Sequence, residues 1–320
     1  MSSPLVAAGI LPLADIPYDE QLARREESVR DTMRRGHINA DVRPIVPSPL
    51  PVGSRARVKL RVGPGGALGF SLPGSHTFVE VPLDELARPE VVAAAAALRG
   101  ALKAGEVEVR SDGTKVAIVL DSPAAVPGNV WSKGKVLSGH PRLRVLGLSV
   151  SPASFYQVNL EVNERIVHDV DQLLQELVPA RLLDLYAGVG NLSARAVGRG
   201  IPATLVENEK SASADASYNL PAAEVLVQDA GRWVPGHRFF DVAVLDPPRA
   251  GAPGLLQKLL VTRPRAILYL SCDPVSLARD LRSVVSSGAA AGGYRVERLQ
   301  PYDMFPGTDH VETLAVLMRT

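Results

Sequence analysis

Five stretches decide the fold: RLLDLYAGVGN (181–191), ATLVEN (203–208), EVLVQD (224–229), FDVAVLD (240–246) and AILYLSC (266–272). Each opens on a short, nearly continuous apolar run, and helix-compatible sequence separates them. Alternation of that kind predicts a parallel sheet buried on both faces. Ahead of them, residues 161–178 place Ile166, Val170, Leu173, Leu174 and Leu177 at helical spacing, which predicts one amphipathic helix. Behind them, YRVERLQ (294–300) and HVETLAVLM (310–318) have no convincing helix between them and should pair as a hairpin at one edge. The expectation is an α/β fold: a doubly wound, Rossmann-like sheet with an antiparallel edge hairpin, over residues 151–320.

The front half reads differently. Residues 20–36 suit a polar helix, and a Pro-rich stretch, PIVPSPLPVG, follows it. Then SRARVKLRV, FVEVPL, EVEVR and KVAIVL appear as short strands, with an Ala-rich helix near 89–104. The predicted organisation is an N-terminal helical or extended segment over 1–45, a smaller α+β region over 46–150, and the large domain beyond.

Composition narrows the function classes. The chain has 320 residues, 46% hydrophobic and 22% charged, and no run long enough to suggest a membrane helix. The opening SSPLVAAGILPL lacks a positive start, so a secretory signal is not expected. One cysteine excludes an internal disulfide, a cysteine zinc site and an iron–sulfur cluster, which favours a reducing cytoplasm. His37, His76, His140, His168 and His237 show no ligand spacing, so no metal is expected. Net charge is +1; residues 1–150 carry 19 Lys plus Arg against 15 Asp plus Glu, and residues 151–320 carry 16 against 19. A mildly basic front is compatible with phosphate binding and proves nothing more.

In doubly wound sheets, ligands bind beyond the carboxyl ends of the strands. The first strand delivers Asp184-Leu185-Tyr186-Ala187-Gly188-Val189-Gly190-Asn191, whose glycines let backbone approach a ligand closely. Glu207 ends the second, at a distance suited to ribose hydroxyls of an adenosine-type ligand. Gln228-Asp229 ends the third, where a side chain can meet an adenine amino group. The glycines and Glu207 alone leave a nicotinamide cofactor open; the later strands argue against it. The fourth ends Asp246-Pro247-Pro248, a rigid exit suited to a wall beside a flat base. The fifth brings the only thiol, Cys272, to a strand-to-helix junction, where a helix N-terminus is expected to lower its pKa.

Together, FYQVN (155–159), DLYAGVGN (184–191), DPPRAG (246–251), LSCDPVSLARDL (270–281) and DMFPGTDHVETLAVL (303–317) resemble, in order, the motifs of the RNA 5-methyluridine methyltransferases. The resemblance covers residues 150–320 densely and the front half loosely. It implies S-adenosylmethionine as cofactor, a uridine of transfer or ribosomal RNA as substrate, Cys272 as the nucleophile toward carbon 6 of uracil, and Glu312 as the base at carbon 5. It places Gln157, Tyr186, Gly188, Asn191, Glu207, Asp229 and Asp246 at the cofactor, and suggests that Asp246 also orients the base. Two departures stand out. The family's Asn after the cysteine is Asp273 here, a charge beside the thiol that is expected to raise its pKa or alter contacts to the base. The four-cysteine cluster of several members is absent, and no small β-barrel extension is evident at the front.

For the RNA itself, Arg55, Arg57, Lys59 and Arg61 alternate with Ala56, Val58, Leu60 and Val62. On a strand this puts four cations on one face, read here as phosphate contacts, though a solvated strand face gives the same pattern. Lys133 and Lys135 beside Trp131 are a second candidate. A monomer without membrane association is expected. The competing reading is a catalytically silent RNA-binding protein that kept the fold, against which intact Cys272 and Glu312 argue.

Overall fold

The computed structural model describes residues 3–236, 238–285 and 293–320; the reading of His237 falls outside them. The chain groups into two compact units. The first comprises residues 1–21, 48–163 and 305–309; the second comprises 22–47, 164–304 and 310–320.

The second unit is the doubly wound one. Its eight strands run in the order Asp41–Val42, Tyr294–Tyr302, Glu312–Arg319, Ala266–Ser271, Val242–Leu245, Leu182–Leu185, Ala203–Glu207, Glu224–Val227. All five predicted parallel strands pair in parallel, and Glu312–Arg319 lies antiparallel between Ala266–Ser271 and Tyr294–Tyr302. The burial pattern explains why: Val242–Leu245 and Ala266–Ser271 are buried at every position, because helices cover both sheet faces. Leu182–Leu185 and Val242–Leu245 are neighbours, although other strands separate them in sequence. That reversal of strand order opens a crevice at their carboxyl ends.

The front segment, expected as one helical or extended stretch over 1–45, is divided: residues 1–21 group with the first unit and 22–47 with the second. Asp41 and Val42 pair in parallel with Arg298 and Leu299, outside the hairpin, so the hairpin is not the sheet's last element. The helix Tyr18–Arg35 buries Val29 and Met33 in the core of the second unit, together with Ile38, Val42 and Ile45. Its Arg25 is buried against buried Asp303, with Nη1 3.0 Å from Oδ1. The driving force is ordinary: an apolar stripe needs a core, and this one joins the core of the large sheet.

The first unit carries a seven-stranded sheet in the order Phe78–Val79, Leu68–Ser71, Arg57–Val62, Glu106–Ser111, Val116–Leu120, Asn129–Ser132, Lys135–Ser138. Its pairs are antiparallel except that Val116–Leu120 runs parallel to Asn129–Ser132. A separate small hairpin joins Leu143–Val145 to Leu148–Val150. The helix Pro89–Leu98 contributes Val91, Ala95 and Leu98 to this unit's core. Leu68–Ser71 and this unit's strands after Leu120 went unanticipated, being three or four residues long. Among the described residues, no helix is long and apolar enough to cross a membrane.

Candidate active site

The carboxyl ends of the central strands converge on an acidic cluster. Asp184 is buried, and its Oδ2 has no hydrogen-bond partner. Burial raises its pKa to about 7; the Ser193 hydroxyl opposes this, while Asp246 and Glu207 add to it by charge repulsion. Asp246 follows the neighbouring strand, and its N–H donates to the Leu185 carbonyl at 3.3 Å.

Cys272 and Glu312 face the same region. Ser271 pairs across the sheet with Thr313, so the next residues on the two antiparallel strands are Cys272 and Glu312. Glu312 is buried, and burial first, then Asp246, pushes its carboxyl well above the carboxylate range. Cys272 is partly exposed. Its thiol does not have the lowered pKa expected of a helix N-terminus. Burial raises it to about 11, with Glu312, Asp246 and Asp273 contributing and only a backbone hydrogen bond opposing. Partial charges at a helix end are worth about half an elementary charge, and here they meet several carboxylates and desolvation. No lysine or arginine is among the groups acting on Asp184, Cys272 or Glu312.

The Asn-to-Asp departure has a structural role. Asp273 Oδ1 accepts from the Ser276 N–H at 2.7 Å, capping the helix Pro274–Val285. Its other oxygen lies 3.7 Å from Arg249 Nε. An asparagine offers the same oxygen to Ser276, so the cap is kept and a charge is added. That charge is the last of the influences raising the thiol pKa.

The cofactor residues named from the motifs occupy the crevice end of the sheet, with one exception. Tyr186 has φ 60°, an uncommon conformation for a non-glycine residue, and burial followed by Asp229 and Asp280 raises its phenol pKa. Gly188 and Gly190 take φ 56° and 89°; a Cβ on Gly190 would meet Leu220 Cδ1 at 2.5 Å. Glu207 accepts from the N–H of Gly188 at 2.9 Å and from that of Glu209 at 2.7 Å, tying the glycine turn to the second strand. A carboxylate has about four acceptor positions, so room for hydroxyl donors remains. Asn191 is partly buried on the same turn. Asp229 caps the short turn Ala230–Arg232 through the Gly231 N–H at 2.8 Å and lies 3.6 Å from Arg232. Gln157 is the exception: it belongs to the first unit, where it is buried. Its loop is fixed by Arg110, buried and donating to the Pro152 and Ser154 carbonyls, with Arg110 also 4.8 Å over the Tyr156 ring.

Two supports escaped sequence reading. Asp280 is buried and accepts from Tyr269 Oη at 2.8 Å and from the Ala252 N–H at 2.7 Å; Arg279 lies 2.8 Å from it. It thereby locks the DPPRAG loop to the helix after Cys272. Its signal was visible, a carboxylate on the apolar face formed by Leu277, Leu281 and Val284. Arg25 gave a similar signal between Leu22 and Val29.

On the cationic strand of the first unit, the alternation is as read: Ala56, Val58, Leu60 and Val62 are buried. The cations themselves are less available than expected. Arg57 lies 3.4 Å from Glu108 and Lys59 2.6 Å from Glu106, both on the adjacent strand, and Arg61 donates to the His76 carbonyl at 2.6 Å. Arg55 has no ion pair among the described residues, and burial lowers its pKa to about 10. Among the described residues no group of three or more His, Cys, Asp or Glu is placed to hold a metal ion.

A family model described as tRNA (uracil-5-)-methyltransferase matches residues 236–320. The chain is 30% identical to an uncharacterized RNA methyltransferase of Thermosynechococcus vestitus, over 94% of this chain and 80% of the relative. It is also 30% identical to the 23S rRNA (uracil(1939)-C(5))-methyltransferase RlmD of Klebsiella pneumoniae, over 83% of this chain and 70% of the relative. In fold it matches the Pyrococcus abyssi tRNA (uracil-54, C5)-methyltransferase, solved with S-adenosyl-L-homocysteine. The TM-score is 0.76 at 23% identity, covering 99% of this chain and 87% of that one. The chain therefore belongs to the S-adenosylmethionine-dependent RNA uracil-C5 methyltransferases.

Proposed function

We propose that this methyltransferase works through a covalent bond between Cys272 and the target uracil, with Glu312 as the base that resolves it. The observation that carries the proposal is the sheet register, which makes Cys272 and Glu312 the next residues after paired Ser271 and Thr313. That Glu312 and Asp246 both raise the thiol pKa, and Asp246 that of Glu312, supports it.

The residues fit the cofactor on their own chemistry. Asp184 is a buried carboxylate with an orphaned oxygen, and Cys272, Glu312 and Asp246 surround the same region without a compensating base. A cationic ligand suits such a cluster. Asp184, Tyr186, Gly188, Asn191, Glu207, Asp229 and Asp246 would hold the cofactor; Gln157 joins them on motif resemblance. When bound, S-adenosylmethionine supplies an electrophilic methyl group and one positive charge.

The protein's part is then as follows. Cys272 loses its proton to water or to a neighbouring carboxylate, and its sulfur adds to carbon 6 of uracil. The ring electrons move to give an enolate, making carbon 5 nucleophilic toward the methyl donor. After methylation the Glu312 carboxylate takes the carbon 5 proton, the carbon–sulfur bond breaks, and the thiolate departs. A carboxyl whose pKa is raised is, once ionised, a stronger base for that step. The uridine must leave its stack to reach both groups, at a cost of a few kcal/mol.

The substrate is proposed to be a uridine of ribosomal or transfer RNA, the two classes on which the named relatives act. Of the four cations on this strand, Arg55 and Arg61, which have no ion pair among the described residues, are proposed as the RNA contacts, while Arg57 and Lys59 face Glu108 and Glu106 and contribute little. Two measurements test the reading. Cys272→Ala should abolish methylation while cofactor affinity stays near normal, and methylation persisting in that variant would overturn it. Mapping 5-methyluridine in both RNA classes, with and without the gene, identifies the target.

A further inference from the structure

From Ser122 to Leu160 the chain holds no aspartate or glutamate, although 34 acids are spread over 320 residues. The same stretch holds Lys133, Lys135, Arg142 and Arg144. It lies within the first unit and includes the outermost strand of its sheet, Lys135–Ser138, which is exposed at every position. Lys133 and Gly134 form the turn, with φ 45° and 84°, so the two lysines flank the tip of a hairpin. Lys133, Lys135 and Arg144 make no ion pair among the described residues, in contrast to Arg57 and Lys59. Two carboxylates lie at the base of this region: Asp112 gives its oxygens to the N–H groups of Thr114, Lys115 and Arg144, and Asp121, next after the Leu120–Ser132 pair, accepts from the Glu106 N–H at 3.0 Å. Lys115 adds another cation there, donating to the Arg142 carbonyl at 2.8 Å.

We propose that the Asn129–Ser138 hairpin, with Arg142 and Arg144 beside it in sequence, is a docking surface for the RNA phosphate backbone. The inference rests on the RNA methyltransferase reading and goes beyond it by naming the surface. Charge complementarity carries it. An exposed hairpin that carries no acid of its own and whose lysines are not ion-paired attracts a polyanion, whereas a strand whose cations already face glutamates gains little from one. Exposed Val136 and Leu137 leave this edge uncovered in the monomer, and cations at its tip discourage pairing with another strand.

The test compares full-length wild type with Lys133→Ala/Lys135→Ala. Both positions are exposed, and a thermal melt confirms that the variant folds. The probe is an end-labelled stem–loop RNA with uridines in its loop, titrated by fluorescence anisotropy at several salt concentrations. Losing two phosphate contacts should reduce the salt slope by about 1.5, so between about 50 and 200 mM salt the wild type loses about tenfold more affinity than the variant. S-adenosylmethionine affinity and the methylation rate at saturating RNA should stay at wild-type values, which separates this surface from the catalytic proposal. An unchanged slope overturns the inference. So does a concentration-dependent dimer of the wild type that Val136→Asp abolishes, because the edge then serves a second copy of the chain.

Discussion

The single cysteine makes its own reactivity directly measurable, and the structure sets its size. With the thiol pKa at about 11, only about one molecule in a thousand is thiolate at pH 8, against about one in ten for a thiol at 9.0. A more basic thiolate is intrinsically more nucleophilic, which returns nearly a factor of ten over two pKa units. Alkylation by iodoacetamide should therefore run about tenfold slower than for an unperturbed cysteine at pH 8. More diagnostic is the shape: the logarithm of the rate should climb with unit slope from pH 7 to 10 without levelling. Intact-mass spectrometry reads the product without ambiguity, since there is one site. Asp246→Asn removes one of the charges holding the pKa up, and each unit of relief multiplies the thiolate tenfold. For the same reason alkylation should be faster with S-adenosylmethionine than with S-adenosylhomocysteine, which lacks the sulfonium charge and blocks access to a similar extent. A plateau below pH 9, or equal rates with the two ligands, would refute the electrostatic reasoning.

Other consequences follow from the buried groups. Asp184 has a folded pKa of about 7 against an ordinary 3.8, so the protein binds its proton more tightly when folded. Its contribution is fully present below about pH 4 and is lost as pH rises through 7, by roughly 4 kcal/mol in all. Asp184→Asn should flatten stability over that window in urea titrations, and a curve still parallel to wild type would contradict the assignment. Arg25→Met removes the cation 3.0 Å from buried Asp303, and a loss of about 3–5 kcal/mol is expected by chemical denaturation; a loss below 1 kcal/mol would show that the pair holds nothing. Gly190→Ala places a methyl 2.5 Å from Leu220 at φ 89°, so cofactor affinity by calorimetry should fall at least tenfold, and undiminished affinity would remove this turn from the site.

The architecture was legible because helix-separated apolar runs admit few arrangements. Leu182–Leu185, Val242–Leu245 and Ala266–Ser271 are buried on both faces, and that is what a continuous apolar run records. The placement of residues 22–47 was less legible. Asp41–Val42 is two residues of strand, and Arg25 reads as solvated until Asp303 is found beside it in space, far off in sequence. Residue identities at the strand ends were legible from motif order, but their electrostatics were not. A helix N-terminus is a local feature of sequence, whereas what outweighs it at Cys272 is burial first and then the charges of Glu312 and Asp246, which other parts of the sheet bring in. The cationic face at Arg55–Arg61 illustrates the same limit, since Glu106 and Glu108 neutralise it from the adjoining strand.

The most direct test of the central claim is a denaturing gel of Glu312→Gln incubated with target RNA and S-adenosylmethionine. A slow-migrating RNA–protein adduct is expected, with its methylated uracil attached at Cys272 and absent when Cys272→Ala is added. Full turnover by Glu312→Gln with no adduct, or an adduct that survives Cys272→Ala, would contradict it.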